Sequence, residues 1–156
     1  MLPVVAHSAR TAVAAVTSLL VARLFRLPEA YWAPITTLVI TQSSLGATLS
    51  VSWQRFVGTA LGAVVGAIVA SQFGPNVLTF GAAVFILGLL STAIRSDRSA
   101  YRFGGVTLVV VQLVPRTGNP WTIASHRCAE VFIGIGVALV LTILWPEREA
   151  TPARKI

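Results

Sequence analysis

Two stretches of the sequence, 70 positions apart, are similar to each other, and this internal repeat predicts the fold. Residues 11–42 are TAVAAVTSLLVARLFRLPEAYWAPITTLVITQ, and residues 81–112, 70 positions further on, are GAAVFILGLLSTAIRSDRSAYRFGGVTLVVVQ. The two copies align without gaps, and three of the identical pairs are polar: Tyr31/Tyr101, Thr37/Thr107 and Gln42/Gln112. Polar residues are rare inside membrane segments. These matches therefore indicate an internal repeat rather than chance similarity between apolar runs.

The composition around this repeat is typical of an integral membrane protein. Of the 156 residues, 55% are apolar and only 11% are charged, whereas soluble domains average about 25% charged residues. Six helices of about 20 residues each would use most of the chain and leave no soluble domain. The net charge of +7 comes from arginines scattered between apolar runs, which favours membrane-flanking charge over nucleic-acid binding. We expect an all-α membrane protein that is not an enzyme.

Six apolar segments are predicted to be transmembrane helices. They occupy residues 8–25, 31–45, 54–73, 77–94, 101–114 and 125–145. The predicted domains are a single six-helix unit over 1–150, with repeat A at 8–73 and repeat B at 77–145, and a short cytoplasmic tail at 146–156. Because each repeat has three segments, the second repeat enters the membrane from the opposite face. Such inverted repeats are typical of transporters, whose substrate sites lie where the repeats meet.

The second and fifth segments point to the position of such a site. Both are shorter than the roughly 20 residues that a span needs, and they contain Pro34 and the pair Gly104-Gly105, respectively. Short, interrupted segments at matching positions of two repeats indicate a transport site. Within them, Gln42, Gln112, Thr37 and Thr107 either line a path for a polar solute or form hydrogen bonds between helices. For the threonines we favour the second alternative.

Arginine counts and tryptophans predict how the chain lies in the membrane. With the N-terminus in the cytoplasm, eight Arg and Lys residues fall on the cytoplasmic side and four on the other. This bias favours two cytoplasmic termini. Tryptophans mark the predicted span ends, as in an interfacial aromatic belt: Trp32, Trp53, Trp121 and Trp145.

Two arginines are the strongest candidates for a substrate path. Allowing two extra residues in one loop, Arg55 matches Arg127 and Gly62 matches Gly134. We expect Arg55 and Arg127 to begin the third and sixth helices, one near each membrane face, where they would attract anions. The alternative is that both extend to lipid headgroups. The arginines share a helix face with small residues that favour helix packing, which turns them towards protein: Gly58, Gly62, Gly66 and Gly134.

Other ionisable residues have more limited predicted roles. Glu130 follows Arg127 by three residues, a spacing that allows an ion pair, and proton coupling through Glu130 is the alternative. As the only acid near two arginines, it would leave the path with a net positive charge. Arg10 is either a further wall residue or, as we favour, a cytoplasmic anchor. His126 and Glu130 have only His7 to complete a metal site, so we expect no metal, and no motif indicates a cofactor.

Several motifs resemble those of a known family. They are Arg10-Thr11-Ala12, Tyr31-Trp32-Ala33-Pro34, QSSLGAT at 42–48, Arg55-Phe56-Val57-Gly58-Thr59 with Gly62, and Arg127 with Glu130 and Gly134. Together they resemble the fusaric acid resistance (FUSC-type) and aromatic acid exporter family over nearly the whole chain. The resemblance implies a six-helix membrane domain that exports aromatic carboxylic acids or similar organic anions, with Arg55 and Arg127 at the basic positions of the third and sixth helices.

The expected function is therefore export of small organic anions, aromatic carboxylic acids among them, across the bacterial inner membrane. A passive organic-anion channel and a non-transporting scaffold or accessory subunit are the alternatives. Larger family members carry a cytoplasmic domain and a second membrane half that this sequence lacks. We accordingly expect a homodimer or higher homo-oligomer in the lipid bilayer, with a small organic anion as substrate and no nucleic acid as partner.

Overall fold

The structure is entirely helical over the residues it describes. This computed structural model describes residues 2–42, 44–94, 98–114 and 118–145. Its helices are α1 (Leu2–Leu24), α2 (Trp32–Ile40), α3 (Leu45–Phe73), α4 (Val77–Ala93), α5 (Arg98–Leu113) and α6 (Pro120–Leu144). Three of them, α1 from Val5 onwards, α3 and α6, are long and apolar enough to cross a membrane, and α4 is a shorter apolar helix. The all-α class is thus confirmed, and the tail predicted at 146–156 lies outside the described residues.

The largest departure from the predicted segments is at the connection between α2 and α3. The second segment was expected at 31–45 and the third at 54–73, but α2 is only nine residues long and α3 already begins at Leu45. The extended backbone of Thr41 (ψ 115°) ends α2. The Ser44 side chain then caps α3 by accepting a hydrogen bond from the Ala47 N–H at 3.3 Å. Two serines and a threonine among residues 45–53 interrupt the apolar run, so hydrophobicity alone placed the start of α3 too late.

The same effect displaces the start of α6. The sixth segment was expected to begin at residue 125, but α6 begins at Pro120. The Asn119 side chain accepts a hydrogen bond from the Trp121 N–H at 3.0 Å, and proline suits the first turn because it has no N–H to leave unpaired. Helices α1 and α5 likewise begin six and three residues earlier than the predicted segments, at Leu2 and Arg98.

The contacts between helices form two corresponding sets. Helices α3 and α6 pack against each other. Helix α5 packs on α3 as α2 packs on α6, and α4 contacts α3 and α5 as α1 contacts α6 and α2. Exchanging α1 with α4, α2 with α5 and α3 with α6 therefore converts every such contact into another one that is present.

Glycines allow α3 and α5 to approach with their backbones in contact. A Cβ atom added at Gly58 would overlap the carbonyl oxygen of Ala100, and one added at Gly62 would overlap that of Gly104. At Gly66, an added Cβ would lie 3.2 Å from the Cβ of Val111. This glycine row thus packs within the chain, and it supplies no interface to a second copy.

Candidate functional site

Arg55 and Arg127 are both buried well inside their helices. Their side chains are 3% and 1% exposed. Because α3 begins at Leu45 and α6 at Pro120, Arg55 lies ten and Arg127 seven residues beyond the start of its helix. The expectation that each arginine begins its helix is therefore wrong, and neither side chain extends out to the lipid.

The two guanidinium groups both lie against the first turns of α2. Arg55 Nη2 donates a hydrogen bond to Thr36 Oγ1 at 3.4 Å, and Arg127 Cζ lies 3.4 Å from the centre of the Trp32 ring. Trp32 and Thr36 are four residues apart and so lie on one face of the helix. The arginine charges are close enough to repel each other. The structure thus brings together the two arginines that were expected at opposite membrane faces.

Each arginine is stacked on an aromatic ring from the other half of the chain. Arg55 Cζ lies 4.7 Å from the centre of the Phe103 ring on α5, as Arg127 lies on Trp32 of α2. Phe103 follows Trp32 by 71 positions and Arg127 follows Arg55 by 72. The contacts therefore match the two halves at offsets of 71 and 72, one and two residues more than the offset of 70 in the sequence alignment.

Two carboxylates accompany the arginine pair. Glu130 Oε2 lies 3.7 Å from Arg127 Nη1, and both side chains are 1% exposed. Glu29, in the turn between α1 and α2, accepts a hydrogen bond at 3.0 Å from the indole N–H of Trp32 and attracts the charge of Arg127. The expected net positive path with a single nearby acid is therefore wrong, because folding of this turn adds a second carboxylate.

The guanidinium groups retain unused hydrogen-bond donors. The Nε, Nη1 and Nη2 atoms of Arg127 and the Nε atom of Arg55 have no hydrogen-bond partner among the described residues. An arginine presents its N–H groups as a planar fork that matches a carboxylate. The arrangement can therefore bind an organic anion.

A pocket leads to Arg127 from one end of the helix bundle. It has a volume of about 230 Å³ and opens between the turn at Pro28 and Glu29 and the start of α6. His126, Arg127 and Glu130 line it from α6. A small solute in this pocket would reach the guanidinium group and both carboxylates.

Arg10 has a different environment and a structural role. Its side chain is 1% exposed. It donates hydrogen bonds from Nη2 to the carbonyl oxygen of Gln42 at 2.7 Å and from Nη1 to that of Trp145 at 3.2 Å. A cation beside the carboxyl ends of two helices is stabilised by their dipoles. Arg10 therefore joins the ends of α2 and α6.

The other candidate path residues form hydrogen bonds with neighbouring helices and backbone. Thr37 Oγ1 donates to the carbonyl oxygens of Ala33 and Gly134, both at 3.1 Å. Thr107 Oγ1 donates to the Phe103 carbonyl oxygen at 3.2 Å. Gln112 Nε2 donates to Thr79 Oγ1 at 3.2 Å. The bonds from Thr37 to Gly134 and from Gln112 to Thr79 join two helices and fit the helix-packing alternative, whereas the bond of Thr107 lies within α5.

The tryptophans differ in exposure, and the possible metal ligands do not form a cluster among the described residues. Trp32 is half-buried under Arg127, whereas three tryptophans are exposed as an interfacial belt requires: Trp53, Trp121 and Trp145. Within the described ranges, no group of three His, Cys, Asp or Glu side chains could hold a metal ion. Sequence reasoning missed Glu29, Thr36 and Phe103 as site residues, because none has a signal of its own in the sequence.

Fold and site together define a helical membrane protein with a buried pair of arginines. Residues 14–141 match the family described as fusaric acid resistance protein-like, so the chain belongs to that family. No solved structure matches the chain.

Three similar proteins illustrate the range of the family. The chain is 32% identical to inner membrane protein YeeA of Escherichia coli (strain K12), over 92% of this chain and 42% of that protein. It is 30% identical to a putative arylamide transporter of Mycobacterium tuberculosis, over 77% of this chain and 34% of that protein. It is also 30% identical to aluminum-activated malate transporter 14 of Arabidopsis thaliana, over 74% of this chain and 24% of that protein. The chain thus spans less than half the length of each relative.

Proposed function

We propose that this chain exports small organic anions, aromatic carboxylic acids among them, across the bacterial inner membrane. The observation that carries the proposal is the buried pair of Arg55 and Arg127, which has unused donors and of which Arg127 lines a pocket. The names of three relatives support membrane transport: inner membrane protein, arylamide transporter and malate transporter.

The chemistry of the site favours an anion with an aromatic ring. The unused N–H groups of Arg127 and Arg55 need acceptors, since a buried donor without a partner is costly. A carboxylate supplies two coplanar acceptors for the fork of N–H groups. The rings of Trp32 and Phe103 cover one face of each guanidinium, and Ile123 and Pro28 give the pocket at Arg127 apolar surface on which a flat solute can pack.

We also propose that the six helices form two inverted repeats with both termini in the cytoplasm. The exchange relation among the helix contacts supports the repeat. At 1.5 Å per residue, the nine residues of α2 extend only about 14 Å, as expected for an interrupted segment at a transport site. Single cysteines at Ser50, Ser96 and Thr117 in a Cys128→Ser background test the orientation. Impermeant label outside intact cells should reach position 117 but neither 50 nor 96.

The functional unit is proposed to be a homodimer or higher homo-oligomer, because the helices of one chain enclose only a small pocket. Mass measurement in native-like lipid tests this proposal. A purely monomeric species that transports anions would contradict it.

Anion flux into liposomes tests the proposed function. Arg55→Gln and Arg127→Gln should each reduce the flux of benzoate and related carboxylates at least tenfold, or about 1.4 kcal/mol in the barrier, without changing expression. Arg23→Gln and Arg102→Gln are matched controls, because both side chains are exposed. A saturating flux indicates a carrier, unitary currents indicate a channel, and a scaffold gives neither. Normal transport by both buried-arginine variants would show that the proposed path is wrong.

A further inference from the structure

We infer that Glu29 and Glu130 are internal counter-ions that an entering anion displaces from Arg127, so that each anion bound takes up one proton from solvent. The inference rests on the proposed function, because it concerns the same anion site. It adds a coupling between anion and proton that the arginine pair alone would not have.

The geometry places both carboxylates where a bound anion must compete with them. Glu130 lies beside Arg127 at 3.7 Å, which is an ion pair but longer than a hydrogen bond. Glu29 is held on the other side by the indole N–H of Trp32, whose ring lies under Arg127. All three charged side chains line the one pocket. A carboxylate that enters this pocket therefore approaches the guanidinium group in the presence of two existing negative charges.

Charge balance supplies the reason for proton uptake. Arg55, Arg127, Glu29 and Glu130 together carry no net charge. A bound monocarboxylate would leave the cluster with one excess negative charge in a region shielded from water, where unpaired charge is strongly disfavoured. A proton that enters from solvent through the pocket forms an O–H bond on the displaced carboxylate and restores the balance. That carboxylic acid can then donate a hydrogen bond to the anion.

Other ionisable groups near Arg127 restrict which residue receives the proton. Besides the two carboxylates, Tyr31 in the α1–α2 turn and Arg55 on α3 act on its charge. His126 on α6 lines the same pocket. Arginine stays protonated and tyrosine stays neutral near pH 7, so His126 is the competing proton acceptor that an experiment must separate from the carboxylates.

Calorimetry of benzoate binding tests the inference on the full chain in lipid nanodiscs. Titrations in two buffers with different ionisation enthalpies give the number of protons taken up per benzoate bound. We expect close to one, and the affinity should then fall as the pH rises, by up to about tenfold per pH unit. Glu130→Gln should bind benzoate more tightly at neutral pH, with a flatter pH dependence, because the competing charge is gone. A purely structural role for Glu130 predicts weaker binding instead.

Three variants make the outcome decisive. Glu29→Gln should also flatten the pH dependence, and it keeps the test available if Glu130→Gln does not fold. His126→Gln should leave proton uptake unchanged, and a loss of uptake in that variant would overturn the inference. Arg127→Gln should abolish binding. Benzoate binding by the wild type without proton uptake contradicts the inference alone, whereas absence of both binding and flux for all aromatic carboxylates contradicts the proposed function as well.

Discussion

The α3–α5 helix pair and the α6–α2 helix pair share the same kind of arginine contact, but their packing differs at one position. In each pair an arginine of the long helix stacks on an aromatic ring of the short one. Along α3, Gly58 and Gly62 bring the helix into contact with the backbone of α5. On α6, Gly134 similarly lies against α2, with an added Cβ only 2.6 Å from the Ala33 carbonyl oxygen. The residue that corresponds to Gly58, however, is Glu130.

The α3–α5 contact at Gly58 is closed to solutes, whereas the α6–α2 contact at Glu130 is open because it borders the pocket. Glycine at position 58 lets two backbones meet and leaves no space for a solute. Glutamate at position 130 needs space and a cationic partner, and the pocket at Arg127 lies beside it. The two arginines thus have matching aromatic contacts, but only Arg127 lines a pocket, beside Glu130.

The largest expected effect comes from disrupting the glycine contact between α3 and α5. Gly62→Leu should lower stability by about 3 kcal/mol or more, because the new side chain meets the Gly104 backbone, which cannot rotate away. Gly81→Leu on α4 is the matched control, since an added Cβ there has no heavy atom within 4 Å. The yield of monodisperse protein and its thermal unfolding in detergent measure the effect. Equal stability of the two variants would show that α3 and α5 are not in close contact.

A charge-conserving change tests whether the shared arginines act alike. Arg55→Lys and Arg127→Lys keep the positive charge but lose the planar fork and the flat stacking surface. We expect benzoate flux to fall about tenfold or more in each, as one or two charge-assisted hydrogen bonds are lost. Arg23→Lys, at an exposed position, should transport normally. Full activity of Arg55→Lys and Arg127→Lys would show that only the positive charge at these two positions matters for flux.

The aromatic partners should differ in strength. Trp32 lies 3.4 Å from its arginine and Phe103 lies 4.7 Å from its own, and tryptophan is the better cation–π partner. Trp32→Leu should therefore destabilise by about 2 kcal/mol and Phe103→Leu by about 1 kcal/mol. Thermal unfolding of the two variants gives the comparison. Trp32→Phe, which keeps a ring but loses the N–H to Glu29, should lie between them.

Spacing in the sequence predicted the local part of the site. The pairing of Arg127 with Glu130 follows from a separation of three residues on one helix, and the packing glycines follow from their common face with the arginines. The repeat also identified Arg55 and Arg127 as corresponding residues. These features depend on helix geometry alone, which a sequence specifies without knowledge of the neighbouring helices.

The remainder of the site depends on tertiary contacts that periodicity does not encode. The early end of α2 results from one extended residue, Thr41. The placement of both arginines beside α2 requires α3 and α6 to pack on each other and on α2. Arg10 had the sequence signature of a membrane anchor, but it pairs with carbonyl groups at residues 42 and 145, far along the chain.

The smallest expected effect concerns the α1–α2 turn, which places Glu29 at the pocket beside the α6–α2 pair. Arg26 has a φ of 53°, a left-handed conformation, and the Leu27 N–H bonds to the Ala22 carbonyl oxygen at 3.2 Å to close α1. Glycine is the usual residue there, because a Cβ atom makes this conformation unfavourable. Arg26→Gly should stabilise the protein by about 0.5–1 kcal/mol in thermal unfolding, after the entropy cost of glycine is deducted.

The matched control for this turn is Arg26→Ala, which removes the exposed side chain but keeps the Cβ atom. It should leave stability within about 0.5 kcal/mol of the wild type. If alanine stabilises as much as glycine, the gain comes from loss of the arginine charge rather than from the backbone. Benzoate flux should be unchanged in both variants, since the same turn holds Glu29 beside Trp32. A loss of flux in Arg26→Gly alone would mean that the left-handed residue fixes Glu29 in place, and that the accessibility of the α6–α2 pair depends on the rigidity of this turn as well as on Glu130.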